Sequence, residues 1–356
     1  MRMAVHRERT KRIYVGDVPI GANAPVSIQS MTNTVTVDVQ ATTKQIRSLE
    51  IAGCDLVRVS IPDQDSLAAF VKIKEQVNIP VIADIHFDHR IAIGAMEAGA
   101  DGIRINPGNI GSKQKVAQIA QVAIERKIPI RVGVNLGSIK KGLLEQFAPD
   151  RVAALVESAR QHVTLLEDLG VGAIKVSLKS SDVIETIETY RRFASICAWP
   201  LHLGVTEAGT LFSGAIRSAV GIGVLLFEGI GDTLRVSLSD DPVKEVFAGR
   251  VLLESLGLRS EGVHVIACPM CARANADIST IALELEDALS HIKEHLIVAV
   301  MGCAVNGPGE ARQADMGVAC DKNGAVLFVH GKAMKRIEVS EIVSTILEQI
   351  QKETSR

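Results

Sequence analysis

Between Val26 and Leu238 the chain repeats one pattern: a short, almost continuously apolar run, then a longer stretch with helical periodicity. The apolar runs are Val26–Met31, Leu56–Ile61, Val81–Ile85, Gly102–Ile105, Ile130–Val134, Ala173–Leu178, Leu201–Val205 and Leu234–Leu238. Such runs suit parallel strands buried on both faces. Helical patterns lie between them, among them Thr43–Ala52, Ser66–Gln76, Ile91–Ala98, Lys113–Arg126, Val152–Leu169 and Ser213–Phe227. Several run into glycine, as at Ala52-Gly53, Ala98-Gly99 and Leu169-Gly170, which stops a helix. With a closing helix near Asp241–Leu256, eight β–α units in roughly 250 residues predict an α/β fold, a (β/α)8 TIM barrel. A doubly wound open sheet is the alternative, but no Gly-x-Gly-x-x-Gly follows the first strand.

Past the barrel the pattern changes. The stretch Leu256-Gly-Leu-Arg-Ser-Glu-Gly262 is polar and punctuated by glycine, which reads as a linker. The barrel domain is therefore placed at residues 1–257 and a smaller α+β domain at residues 258–356. In the latter, Val263–Ala267 and Leu296–Met301 read as strands, and Ile278–Ile292 and Val339–Gln351 as helices. Met316–Cys320 and Ala325–His330 flank Asp321-Lys-Asn-Gly324, a hairpin signal.

Composition narrows the function. A formal net charge of −2, with one Trp and two Tyr, argues against nucleic-acid binding by basic surface or base stacking. No apolar run approaches membrane-spanning length, so no membrane partner is expected. The basic start, Met1 to Arg12, has no apolar segment after it and is not a secretory signal. Six cysteines in 356 residues, three of them clustered, do not form a disulfide framework, and a reduced cytoplasmic setting is expected.

In barrels of this kind the working residues sit at the C-terminal ends of the strands. Those places here carry Arg58 and Ser60, Asp84 and His86, Arg104 and Asn106, Arg131 and Asn135, and Lys175 and Ser177. His202, Thr206 and Glu207 follow on the seventh strand, and Arg235 and Ser237 on the eighth. Any one such residue can be a barrel-layer ion pair or a loop cap. Five cations on five strands are harder to explain as structure, because burying them together is unfavourable without an anion. A compact polyanion such as a diphosphate matches forked guanidinium groups.

The second feature is Cys268-Pro-Met-Cys271, read with Met301-Gly-Cys303-Ala-Val-Asn306-Gly-Pro-Gly-Glu310. Two thiolates from one tight turn, a third from another and a carboxylate supply four ligands for a metal centre. A redox dithiol or a structural zinc site fits the C-x-x-C spacing as well, and Cys320 is a competing fourth ligand. Cys54 and Cys197 read as packing residues.

The flanks carry a resemblance. Ala267–Arg273 and Val300–Ala311 closely resemble the cluster-binding segments of the hydroxymethylbutenyl diphosphate synthase family, iron–sulfur enzymes of the methylerythritol phosphate route to isoprenoids. The likeness extends through Val26–Thr34, His202–Gly209 and Glu228–Leu238 and covers nearly the whole chain. It implies reductive ring opening and dehydration of 2-C-methyl-D-erythritol 2,4-cyclodiphosphate to 4-hydroxy-3-methylbut-2-en-1-yl diphosphate. It also implies one 4Fe–4S cluster per chain on Cys268, Cys271, Cys303 and Glu310, the last a weakly held ligand that can leave the unique iron.

By the same resemblance Arg58, Arg104, Asn106, Arg131, Asn135, Lys175, Arg235 and Ser237 bind the diphosphate, with His86 and Asp84 as further candidates beside a structural role. Glu207 transfers a proton or positions a hydroxyl. Flavodoxin or ferredoxin is the implied electron donor, and a head-to-tail homodimer the implied assembly. One departure is Ala274-Asn275-Ala276, where many relatives carry bulkier or more polar residues; it is expected to change packing and not ligation.

Overall fold

The computed structural model describes residues 6–260, 262–289, 292 and 294–354. Residues 1–5 of the basic start, Glu261 of the expected linker and residues 290–291 of the expected helix Ile278–Ile292 lie outside the described residues. The chain divides into two compact units, Met1–Arg259 and Ser260–Arg356.

Unit 1 opens with two three-residue strands, β1 (Ile13–Val15) and β2 (Val18–Ile20), paired as an antiparallel hairpin. Eight parallel strands follow: β3 (Ser27–Met31), β4 (Leu56–Ser60), β5 (Val81–Asp84), β6 (Gly102–Ile105), β7 (Ile130–Asn135), β8 (Ile174–Lys179), β9 (His202–Leu203) and β10 (Thr233–Leu234). Their order is β8-β7-β6-β5-β4-β3-β10-β9, and a parallel bridge from Val176 to Leu201 closes the ring. The expected (β/α)8 barrel is what forms.

The terminal hairpin packs at the N-terminal end of the barrel. Its Gly16 lies against Pro80, which precedes β5, and Gly21 against Pro200, which precedes β9. The strand interiors pack with the inner faces of the surrounding helices into one core, with Phe70, Tyr190 and Phe193 among its largest members. Several helices start earlier than the apolar periodicity indicates, while the helix Lys113–Arg126 starts where expected. Asp38, Asp63, Asp88, Asp150, Asp182 and Asp241 each accept a hydrogen bond from a backbone N–H in the first turn. The helix expected from Thr43 thus begins at Val39.

Two strands are shorter than expected. Where Leu201–Val205 and Leu234–Leu238 were expected, the strands are only His202–Leu203 and Thr233–Leu234. Beyond β10 the chain is drawn outward: Glu245, on the helix Pro242–Ser255, accepts the backbone N–H of Leu238 at 3.0 Å and the guanidinium of Arg235. Arg235 and Ser237 therefore sit on the loop after β10 and not within it.

Unit 2 is a five-stranded sheet, β11 (Val263–Ala267), β12 (Leu296–Met301), β13 (Met316–Asp321), β14 (Gly324–Val329) and β15 (Lys332–Ile337), ordered in sequence. The first three run parallel and the last two antiparallel. Helices Ile278–Ala288 and Ile342–Thr354 share a core with one face, and helix Gly307–Gln313 packs on the alanine-rich other face. Three expectations are corrected. The helix from Ile278 ends at Ala288, the closing helix starts at Ile342 after a short 3-10 turn, and Asn306-Gly-Pro-Gly opens a helix where a turn was expected. Pro308 suits the first helical turn, where its missing N–H costs nothing.

Candidate functional site

Strand period and register gather the charges of unit 1. Asp84, Arg104, Arg131 and Lys175 are paired in register across β5 to β8, so their side chains share one face. That face is the barrel interior, because Arg131 reaches Gln29 on β3 across the ring, Nη1 to Oε1 at 3.5 Å. Asp84 is 2% exposed and takes Arg104 at 3.2 Å, Arg58 at 3.6 Å and His86 at 3.8 Å. Burial alone would raise its carboxyl, but Arg58, Arg104, Arg131 and His86 outweigh that and bring it down to about 2. Glu245 is the other acid, held by both nitrogens of the Arg235 fork (3.1 and 3.0 Å) and by Ser30 at 3.0 Å.

Cations outnumber these two acids. Arg58 has spare donors that turn to the thioether of Met31 at 3.2 and 2.9 Å, and Arg235 reaches the same sulfur at 3.7 Å. A thioether is a weak acceptor, so these donors are poorly satisfied. Lys175 Nζ, Arg131 Nε, Arg104 Nε, Gln29 Nε2 and His202 Nε2 are buried with no hydrogen-bond partner among the described residues. Burial and the surrounding arginines push the Lys175 and Arg131 cations, and the His202 imidazole, well below their usual ranges.

One residue of the set was not expected. Lys179, the last residue of β8, lies on the same face as Lys175 and Ser177. Burial lowers its pKa well below the ordinary lysine value, and Arg131, Arg235, Arg58 and Arg104 lower it further. Lys175 is two inward-facing positions deeper, below Ser177, and feels Asp232, whose carboxylate accepts the Leu201 N–H near the barrel's other end. Ending the strand at Leu178 hid Lys179; carrying the alternation one step further finds it.

The rest of the expected set stands at the same end. Asn106 is buried and caps the short helix Pro107–Ile110 through Oδ1, 3.0 Å from the Gly108 N–H, which leaves its amide donors unspent on that cap. Asn135 ends β7, and Ser237 lies half-buried on the loop after β10. Glu207 is exposed on the loop after β9 with φ +53°, a left-handed conformation uncommon for glutamate. The loop is fixed around it: Thr206 N–H donates to Ser180, Ser239 N–H to Gly209, and Arg217 to the Ala208 carbonyl at 2.7 Å. Non-glycine residues persist in such conformations where neighbours over-determine them, and functional sites are enriched in them.

In unit 2, Cys268 follows β11 by one residue and Cys303 follows β12 by two. With Cys271, Arg273, Asn306 and Glu310 they line one cavity of about 350 Å³. Among the described residues no three His, Cys, Asp or Glu side chains converge on a single metal ion. A cubane binds each ligand through a different iron, so its donors ring a cavity and do not meet at a point. The donor set, three thiols and one carboxylate around such a space, fits a 4Fe–4S cluster.

The cysteines separate by environment. Backbone and side-chain hydrogen bonds from Arg273 lower the Cys271 thiol, and backbone N–H groups of Asn306 and Val305 lower Cys303. Burial instead raises Cys320 to about 11, Cys197 to about 11 and Cys54 to about 12. Cys320 belongs to the apolar core on the helical face of the sheet and does not line the cavity, whereas Glu310 does.

The family model described as GcpE TIM-barrel domain matches residues 10–250, and that described as GcpE protein C-terminal domain matches residues 264–352. The chain is 49% identical over 348 residues to "4-hydroxy-3-methylbut-2-en-1-yl diphosphate synthase (flavodoxin)" of Thermodesulfovibrio yellowstonii, covering 98% of this chain and 100% of that one. It is 51% identical to the protein of the same name from Caldanaerobacter subterraneus, with 97% and 98% covered. Among solved structures, dihydropteroate synthase from Stenotrophomonas maltophilia superposes with TM-score 0.53 at 13% identity, covering 69% of this chain and 98% of that one. The enzyme from Yersinia pestis superposes with TM-score 0.51 at 10% identity, covering 70% and 100%. At such identity the likeness concerns the barrel fold alone. The chain belongs to the GcpE family.

Proposed function

We infer that the chain catalyses the reductive ring opening and dehydration of 2-C-methyl-D-erythritol 2,4-cyclodiphosphate to 4-hydroxy-3-methylbut-2-en-1-yl diphosphate, in isoprenoid precursor synthesis. The observation that carries this reading is the excess of buried cations at the barrel mouth, in a chain whose full-length relatives bear that enzyme's name. A diphosphate supplies the anion these groups lack. Arg58, Arg104, Arg131, Lys179 and Arg235 hold it, with Lys175 adding charge from deeper in the barrel. The amides of Asn106 and Asn135 and the hydroxyl of Ser237 position the ligand, and His86, half-exposed beside Asp84, stands at the rim. Glu207 presents its carboxylate to the substrate's hydroxyl-bearing end, where it holds or moves a proton.

Ring opening with loss of water consumes two electrons. Cys268, Cys271, Cys303 and Glu310 would hold a 4Fe–4S cluster, one per chain, which supplies them one at a time. Glu310 is the labile ligand, since a carboxylate binds iron more weakly than a thiolate. Flavodoxin or ferredoxin delivers the electrons, as the word in the relatives' names supports for the former. The active assembly is a head-to-tail homodimer in which one chain's cysteine unit serves its partner's barrel, and the setting is cytoplasmic. No helix among the described residues is long and apolar enough to cross a membrane.

The test is made on anaerobically purified protein: iron and sulfide content, then turnover of the cyclodiphosphate with a strong one-electron donor, wild type beside Glu310→Ala. About four irons per chain and reductant-dependent product that collapses in the variant are expected. Zinc in place of iron, or product formed without reductant, would sink the reading.

A further inference from the structure

Gly133 in β7 and Gly204, just past β9, are buried and face the barrel interior. Neither has the left-handed backbone that calls for glycine. Glycine weakens a strand interior, and it often marks a place where another group approaches closely. At Gly133 that group is identified. A Cβ built there would stand 2.5 Å from Nε of Arg104, 2.9 Å from its Nη2 and 3.1 Å from its Cζ. The three nearest atoms all belong to one guanidinium. At Gly204 a Cβ would meet Lys179 Nζ at 2.5 Å but also the Arg235 carbonyl oxygen at 2.8 Å, so backbone packing shares the cause there.

We propose that Gly133 is a positioning residue for anion binding at the barrel mouth. Its missing side chain gives the Arg104 guanidinium a flat bed against β7, from which Nη1 turns to Asp84 at 3.2 Å. An alanine keeps the β7 backbone but lifts the fork off that bed and changes the angle at which it meets a phosphate. Bidentate recognition depends on that angle. The inference rests on the diphosphate reading above and adds to it a residue that touches no ligand. A glycine kept for packing alone makes a different prediction: its replacement lowers stability whether or not Arg104 is present. Here the side chain in the way is long and flexible, so stability is held while affinity falls.

The experiment is a double-mutant cycle on the full chain, with inorganic pyrophosphate as the titrated probe and the thermal midpoint recorded for each variant. Gly133→Ala is expected to weaken pyrophosphate about tenfold, a misplacement effect, with the midpoint unchanged or raised. Added to Arg104→Ala, the same substitution is expected to change affinity less than about twofold, because the group it displaces is gone. In turnover, Gly133→Ala raises KM more than it lowers kcat. Unaltered affinity in Gly133→Ala, or an equal loss in both backgrounds, would overturn the proposal. Should Gly133→Ala fail to fold while the double variant folds, the clash with Arg104 is supported as the cause; failure of both overturns it. If wild type and Arg104→Ala alike ignore pyrophosphate and share one substrate KM, the diphosphate reading fails first and takes this inference with it.

Discussion

The barrel mouth takes most of its cations from β-strands, whereas the cysteine cavity takes its donors from loops and the first turn of a short helix. Arg131 and Lys175 are 3% and 2% exposed; Cys271 and Glu310 are exposed. In the barrel, position is fixed by the ring itself, and like charges are held together against their repulsion. In unit 2 hydrogen bonds lower the Cys271 and Cys303 thiols, and no comparable excess of charge is buried among the described residues. The first arrangement suits an anion of fixed shape that enters and leaves. The second suits a bulky group assembled once, with one weakly held corner. Stability is spent at the first site and not at the second, and that contrast can be tested.

The largest effect is expected at Arg235→Ala. It strips the fork from Glu245, a side chain 2% exposed, and leaves the carboxylate to Ser30 and one backbone N–H. Breaking a buried pair from one side costs about 3 kcal/mol, read as a shift in the barrel's denaturant midpoint. A loss below about 1 kcal/mol would mean that the remaining partners already satisfy Glu245.

Next comes acid. Asp84 titrates near 2 in the folded chain against an ordinary 3.8, so the folded state favours its ionised form. The resulting stability is present above about pH 4 and is lost as pH falls through 2; integrated over the shift it amounts to roughly 2 kcal/mol. Asp84→Asn is expected to flatten the stability profile in that window. A profile as steep as wild type would place the acid dependence elsewhere.

Much of the barrel was legible because parallel strands buried on both faces read as apolar runs, and six of the eight came within a residue or two of their bounds. The two that shrank, β9 and β10, are flanked by side-chain bonds: Asp232 accepts the Leu201 N–H just before β9, and Glu245 accepts that of Leu238 beyond β10. The hairpin β1–β2 was missed because three-residue strands carry no period. Strand β15, Lys-Ala-Met-Lys-Arg-Ile, was missed because it is an exposed edge, where charge discourages further pairing. Of the site, charged residues announced themselves, but Lys179 fell beyond a strand drawn one residue short. Gly133 had no signal a search for reactive side chains can register, since its contribution is an absence.

A smaller effect of opposite sign is expected at Lys175→Met. The ammonium is buried without a partner among the described residues, and burial together with Arg131 works against its charge. Replacing it by an apolar chain of similar length is expected to stabilise the barrel by about 1 kcal/mol while weakening pyrophosphate binding. If the variant is destabilised instead, the lysine is structural, and the mouth carries less stress than the comparison supposes.

The smallest effect falls in unit 2, at Asn275, which joins the two cysteine turns. Its backbone N–H donates to the Gly302 carbonyl at 2.8 Å, joining the turn after Cys271 to the turn before Cys303. Its side-chain amide donates to the Arg273 carbonyl at 3.0 Å and, at 3.4 Å, to Gly302 as well. Asn275→Ala keeps the backbone bond and loses one exposed side-chain bond and one long, part-buried one, so it is expected to cost about 0.5 kcal/mol in the unit 2 transition. Gly302 is the stricter position, because a Cβ there would meet Ile278 at 2.9 Å and Ala274 at 3.3 Å. Small residues at 274 and 302 let the two cysteine turns approach. A loss above about 2 kcal/mol in Asn275→Ala would show that the cysteine loops are held as tightly as the barrel mouth, and the contrast between the two sites would then fail.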